Sequence, residues 1–138
     1  MPGELYLRVV TPDRTLIDRK VASVTFQGID GRYGILPRHA PMMTALAHAG
    51  SAEITELDGR KEALFTSGGF AQVQHNVLTL VCEAGELVHE IDVERAKAAE
   101  AKAREKLSGL DKYSQEFIQA EASLRKAMAR EMLARRSS

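Results

Sequence analysis

Apolar and polar residues alternate in short runs through the first ninety positions, and near Ile91 the rhythm changes. The early runs are broken by Gly, Pro and Asp-Gly, and a period of two is the signature of a half-buried strand. From Ile91 onward there is no proline and one glycine, and Ala, Glu, Lys and Arg dominate at helical spacing. The pattern predicts an α+β chain of two modules: a strand-rich domain over 1–90 and a two-helix domain over 91–138.

In the first module, Leu5–Val10, Leu16–Asp18, Val21–Gln27, Ser51–Leu57, Lys61–Thr66, Gly69–Gln74 and Val77–Cys82 read as strands. Thr11-Pro12-Asp13 is a turn. Asp58-Gly59 signals a hairpin whose type I′ geometry needs positive φ at both residues, and His75-Asn76 is a second tight connection. Strands this short and frequent, with no intervening helix, predict an antiparallel β-sandwich or barrel. Two segments depart from plain strand. The paired glycines and prolines of Gly31–Pro41 predict a rigid irregular loop. Gly68-Gly69 predicts a bulge or a close backbone approach.

In the second module, Asp92 is placed to N-cap a helix ending near Ser108, with Gly109 as a left-handed C′ residue. Asp111 is then expected to cap a second helix ending near Arg135, and the short link implies an antiparallel hairpin. Ala96, Ala99, Ala103 and Leu107 form one stripe, facing Tyr113, Phe117, Ala120, Leu124 and Met128. Methyl groups bury little, about 0.8 kcal/mol each, so the helices are expected to persist while their docking is weak. Glu100–Arg104, Glu121–Arg125 and Glu131–Arg135 add helix-stabilising pairs. A hairpin that comes off the sandwich and a permanently docked cap both fit this composition.

Charge sharpens the division. The 138-residue chain has 19 Lys/Arg and 19 Asp/Glu, but residues 1–90 hold 8 basic against 11 acidic and residues 91–138 hold 11 against 8. The segment 122–138 carries five basic residues against Glu131 alone. That suits an acidic protein surface. It lacks the aromatics that stack on nucleic-acid bases. Cys82 is the single cysteine, so no intramolecular disulfide forms, and its apolar run makes it a buried, inert thiol. The N-terminal run has neither signal-peptide character nor, anywhere in the chain, a stretch approaching a membrane span.

No catalytic constellation emerges. His39 has no partner at metal-ligand spacing, and the other three histidines are scattered. Gly68-Gly69 lacks the Lys-Ser/Thr of a phosphate loop. Ser67 lacks the preceding glycine of a nucleophile elbow. Neither a metal nor a required cofactor is expected.

Three segments in order carry a resemblance: Gly31-x-x-Gly34-Ile-Leu-Pro37-x-His39-Ala-Pro41, Ser67-Gly68-Gly69-Phe70 with Asn76-Val77-Leu78-Thr79-Leu80, and Ile91-Asp92-Val93-Glu94-Arg95-Ala96 opening an Ala-rich helix. The chain resembles, over essentially its whole length, the epsilon subunit of bacterial F-type ATP synthase. The resemblance implies a ten-strand sandwich with a two-helix domain. It implies a non-catalytic place in the rotating central stalk, bound to the gamma subunit and seated on the c ring through the loop holding Gly31, Gly34, Arg38 and His39. It further implies a mobile helical domain that extends among the alpha and beta catalytic subunits and inhibits ATP hydrolysis, here through Arg125, Lys126, Arg130 and Arg135. The setting it implies is the cytoplasmic face of a bacterial plasma membrane, reached through the complex.

Some members of that family bind ATP as a regulatory ligand at an Ile/Leu-Asp-x-x-Arg-Ala motif. The matching residues are Ile91, Asp92, Arg95 and Ala96, with Glu86, Lys102, Lys126 and Arg130 as further contacts. Lys102 and Lys126 stand where the best binders have arginine, which grips phosphate bidentately while lysine acts as a point charge. Asp92 and Arg95 read equally as an N-cap and a solvated first-turn residue. The alternative function is a free-standing sandwich module that senses nucleotide.

Overall fold

The computed structural model describes residues 3–137. Met1 and Pro2, which open the N-terminal run, and Ser138, which ends the basic segment, lie outside the described residues. Ten strands come first: β1 (Leu5–Val10), β2 (Thr15–Val21), β3 (Ser23–Gly28), β4 (Gly31–Ile35), β5 (Met42–Ala45), β6 (Gly50–Thr55), β7 (Lys61–Ser67), β8 (Phe70–Gln74), β9 (Val77–Val81) and β10 (Ala84–Leu87). A 3₁₀ turn, Val88–Glu90, leads into helices α1 (Val93–Ser108) and α2 (Gln115–Ser137).

The strands form two five-stranded sheets, ordered β2-β1-β9-β8-β5 and β10-β7-β6-β3-β4. Alternation decides which side chains fill the space between them. Leu5, Leu7 and Val9 point inward from β1 and Val24 and Phe26 from β3, all at most 1% exposed. All strand pairs are antiparallel except β1–β9, which run parallel with Leu7 beside Leu78 and Val9 beside Leu80. No hairpin constrains that pair, because β1 and β9 are joined only through the rest of the sandwich.

The turns differ from expectation in an instructive way. His75 and Asn76, at φ 53° and 62°, make the two-residue turn with positive φ at both positions. At Asp58-Gly59 only Gly59 is left-handed, at φ 90°. There the loop is three residues long: Gly59 N–H donates to the Glu56 carbonyl and Glu56 N–H to that of Arg60. A three-residue loop takes a type I turn followed by a left-handed residue, so glycine is needed once, not twice.

The expected loop over Gly31–Pro41 is a strand in its first half, β4, and irregular only from Leu36 to Pro41. Its two glycines do not break the strand because β4 is an edge, paired on one side only, with β3. The four-residue strands β5 and β10 escape sequence reading because four residues give too little alternation. Gly68 and Gly69, both left-handed, join β7 of one sheet to β8 of the other. A Cβ on Gly69 would stand 1.8 Å from the Val81 carbonyl oxygen, which is the close approach the sequence signals.

In the helical hairpin, Asp92 Oδ1 accepts from Arg95 N–H at 3.1 Å, as an N-cap should. Gly109 is not left-handed: its φ is −105°. The helix ends instead through i→i+3 bonds from Gly109 and Leu110. Asp111 does not cap α2. It stabilises a preceding turn by accepting from Tyr113 N–H, and Ser114 is the cap, its Oγ accepting from Phe117 N–H. Tyr113 therefore falls before α2, off the interhelical stripe, and is 90% exposed. Ala96 and Ala103 of α1 and Ala120 and Ala127 of α2 are buried, so small residues set the close approach.

α2 lies against β6, β7 and the 3₁₀ turn. There Phe65, Ile91 and Leu133 form a second apolar cluster, separate from the sandwich core.

Candidate functional site

A cavity of about 490 Å³ opens where the sandwich meets the hairpin. That size suits a small organic ligand. One wall is sandwich: Thr11, Asp13 and Arg14 from the β1–β2 turn, and Ala84, Gly85 and Glu86 from β10. Glu90, Ile91 and Asp92 form the connecting edge. The other wall is helical: Arg95, Ala96 and Ala99 of α1, and Arg130 of α2. Of the sequence-derived nucleotide set, Glu86, Ile91, Asp92, Arg95, Ala96 and Arg130 come together here. Lys102 and Lys126 do not line the cavity; Lys102 is exposed about two turns beyond Arg95, and Lys126 stands one turn before Arg130.

The three arginines are held differently. Arg130 Nε donates to Glu86 Oε1 at 3.0 Å, and its guanidinium lies 4.5 Å from the centre of the Phe65 ring. Arg14 grips Glu90 with two bonds, 2.8 and 3.0 Å. That guanidinium, seconded by Leu87 N–H, holds the Glu90 carboxyl below its usual range. Arg95 makes no side-chain ion pair among the described residues. Thr11, Asp13 and Arg14 were not anticipated. Ala84, the next lining residue along the chain, is 70 positions beyond Arg14, and Thr11-Pro12-Asp13 shows only a turn.

The docking residues inferred from the resemblance do not share one spot. Gly31 opens β4, at φ 142°, Gly34 lies within it, and Arg38 and His39 follow its end, so the strand runs between Gly31 and the other two. Leu36 stands out at 65% exposed. His39 Nδ1 donates to the Ala40 carbonyl at 2.7 Å. Ser67, weighed as a nucleophile, is 1% exposed within β7 and out of reach of a substrate.

A further surface was missed. On the outer face of the first sheet, register aligns Ala45, Phe70, Val81 and Val10 across four strands, with the exposed Met43 alongside. Each residue alone looks like ordinary strand alternation. Only pairing assembles the apolar row.

On α2, Arg125 pairs with Glu121, Arg135 with Glu131 and Arg130 with Glu86. The expected Glu100–Arg104 pair also forms, at 3.1 Å. Of the three α2 arginine pairs, two lie within α2 itself, and only Arg130–Glu86 ties the basic segment 122–138 to the sandwich.

Two family models divide the chain between them: the ATP synthase delta/epsilon chain β-sandwich domain matches residues 4–88, and its long α-helix domain matches 89–130. The chain belongs to the ATP synthase delta/epsilon family. It is 41% identical over 128 residues to the ATP synthase epsilon chain of Natranaerobius thermophilus, covering 92% of this chain and 89% of that one. It is 38% identical over 130 residues to the epsilon chain of Caldanaerobacter subterraneus, covering 94% and 93%. A chain in the Euglena gracilis mitochondrial ATP synthase (OSCP/F1/c-ring) superposes with a TM-score of 0.82 at 27% identity, over 96% of this chain and 82% of that one. A chain in the central stalk/c-ring structure of the Tetrahymena thermophila mitochondrial enzyme gives 0.60 at 15% identity over 99% and 98%, a likeness of fold alone. The protein is therefore an epsilon-type, non-catalytic subunit of a membrane-bound ATP synthase. Among the described residues no helix is long and apolar enough to cross a membrane.

Proposed function

We propose that this epsilon-type subunit couples rotation between the c ring and the catalytic head and restrains ATP hydrolysis through its helical hairpin. The sandwich is the fixed part. Its apolar row from Ala45 to Val10 takes the gamma subunit, and the exposed Leu36–His39 turn takes the polar loops of the c ring. The setting is the cytoplasmic face of a bacterial plasma membrane. The hairpin is the moving part, and when it leaves the sandwich, α2 offers its basic residues to the acidic rim of the alpha and beta subunits.

The single observation that carries the regulatory reading is the cavity whose walls belong to different modules. A ligand touching Glu86 and Arg14 on one side and Arg95 and Arg130 on the other binds only the docked form. It stabilises that form by its differential affinity. ATP suits such a site, as a regulatory ligand rather than a required cofactor. Arg95, with no side-chain ion pair among the described residues, is able to meet phosphate, and Asp92 and Glu86 are acceptors for a base or ribose.

The test is titration of ATP into the isolated chain alongside Asp92→Ala and Arg95→Ala, with hydrolysis by the assembled head measured with the full chain and with a chain lacking 91–138. Weakened binding in both variants and faster hydrolysis without the hairpin are expected. Equal affinity in all three proteins would refute the nucleotide site. Unchanged hydrolysis would refute the restraint.

A further inference from the structure

The Leu36–Pro41 link and the His75-Asn76 turn are distant in sequence but meet at one end of the sandwich. β4 ends in one sheet and β5 begins in the other, so the link crosses that end. Midway, Arg38 takes φ 66°, a left-handed conformation unfavourable to any residue with a Cβ. Its N–H donates to Asn76 Oδ1 at 2.8 Å. The other end of the same amide, Nδ2, donates to the Glu4 carbonyl at 2.7 Å. The Asn76 carbonyl accepts from Tyr6 N–H at 3.2 Å.

One residue thus ties three segments: the start of β1, the β8–β9 turn and the crossing link. The amide can satisfy both partners in one orientation only, oxygen toward Arg38 and nitrogen toward Glu4. Asn76 is itself left-handed at φ 62°, which asparagine tolerates better than most residues. What the clamp holds is a distinctive tip. Leu36 is exposed, Pro37 and Pro41 stiffen the chain, and the Arg38 guanidinium has no ion-pair partner among the described residues.

We propose that Asn76 is the positioning residue of this docking tip. Its Oδ1 fixes Arg38 in the left-handed conformation and so presents Leu36 and the Arg38 guanidinium together to the partner. The inference rests on the reading of the turn as the c-ring contact. In this role Asn76 acts through the backbone of Arg38.

Two substitutions separate this role from simple bracing. Asn76→Gly keeps the left-handed turn and removes both amide bonds. Asn76→Asp keeps the acceptor for Arg38 and loses the donor to Glu4, so it costs stability without freeing the tip. Each is reassembled into the complete synthase in vesicles, and proton pumping per ATP hydrolysed is measured. Hydrogen exchange at the Arg38 amide is followed in the isolated full chain. Leu36→Ala/Arg38→Ala is the control for the docking reading.

With Asn76→Gly, exchange at Arg38 is expected to speed up about fivefold or more, the worth of one net hydrogen bond, and pumping per ATP to fall. Asn76→Asp is expected to keep both near wild type even if its melting temperature drops. Normal pumping in Asn76→Gly, with the Leu36/Arg38 double variant impaired, would overturn the positioning role and leave the docking reading standing. Pumping that follows melting temperature instead of Arg38 exchange would overturn it too. Normal pumping in the double variant would overturn the docking reading, and this inference with it.

Discussion

At Gly69 the fold depends on the absence of a side chain, because the Val81 carbonyl oxygen occupies the place of a Cβ. The Gly-Gly signal was legible since only glycine serves a left-handed residue at such an approach. Asp92 was legible as an N-cap for a similarly local reason. Arg14 was not, because its partner Glu90 lies 76 residues away and no spacing rule spans that distance. Cys82 permits a direct check. It is 2% exposed, and burial pushes its thiol up to about 12. Since the thiolate is the reactive species, a disulfide reagent at mildly alkaline pH is expected to label Cys82 only as fast as the sandwich unfolds. Rapid labelling of the native chain would contradict its place in the core.

Among the elements, the β6–β7 and β8–β9 hairpins and both helices were visible in periodicity and turn residues. β5 and β10 became visible only through their sheet partners. The β1–β9 pairing was hidden as well, since parallel neighbours leave no turn between them. The docking of α2 is an element-scale property with two tests. Leu133→Ala removes a side chain from the cluster with Phe65 and Ile91. Buried Leu→Ala changes cost about 2–5 kcal/mol, the low end applying to a site near a surface. The loss is expected as faster amide exchange in α1 and α2, with the strands of the first sheet unchanged. The second test is acid. Glu90 is held below its ordinary value of 4.5, chiefly by Arg14. A depressed carboxylate contributes stability above its unfolded pKa and loses it as pH falls through the folded one. Amides of Ile91–Arg95, corrected for intrinsic rates, are therefore expected to open as pH drops below 4.5. Glu90→Gln should remove that dependence.

For the whole molecule, the change of rhythm at Ile91 corresponds to two apolar clusters that share no buried member. The sandwich core draws on Leu5 through Cys82, while Phe65 looks the other way, toward Ile91 and Leu133. A chain ending at Glu90 is thus expected to fold, keep exchange protection in β1, β8 and β9, and bind a hydrophobic dye through uncovered Phe65. Loss of protection in those strands would show that the hairpin supports the sandwich core. The passage from strands to helices was legible from composition. The cavity between them was not, because its walls come from β1–β2, β10, α1 and α2, and only the folded chain brings them together.

The parallel seam between β1 and β9 sets an order of events during synthesis. β1 leaves the ribosome well before β9, so one of its edges waits for a strand ending at Val81. Until then it has only β2 beside it, and a lone two-stranded ribbon is marginal in water. Such long-range pairing is slow to form. The nascent sandwich should stay protease-sensitive until β9 emerges, then close in a single step.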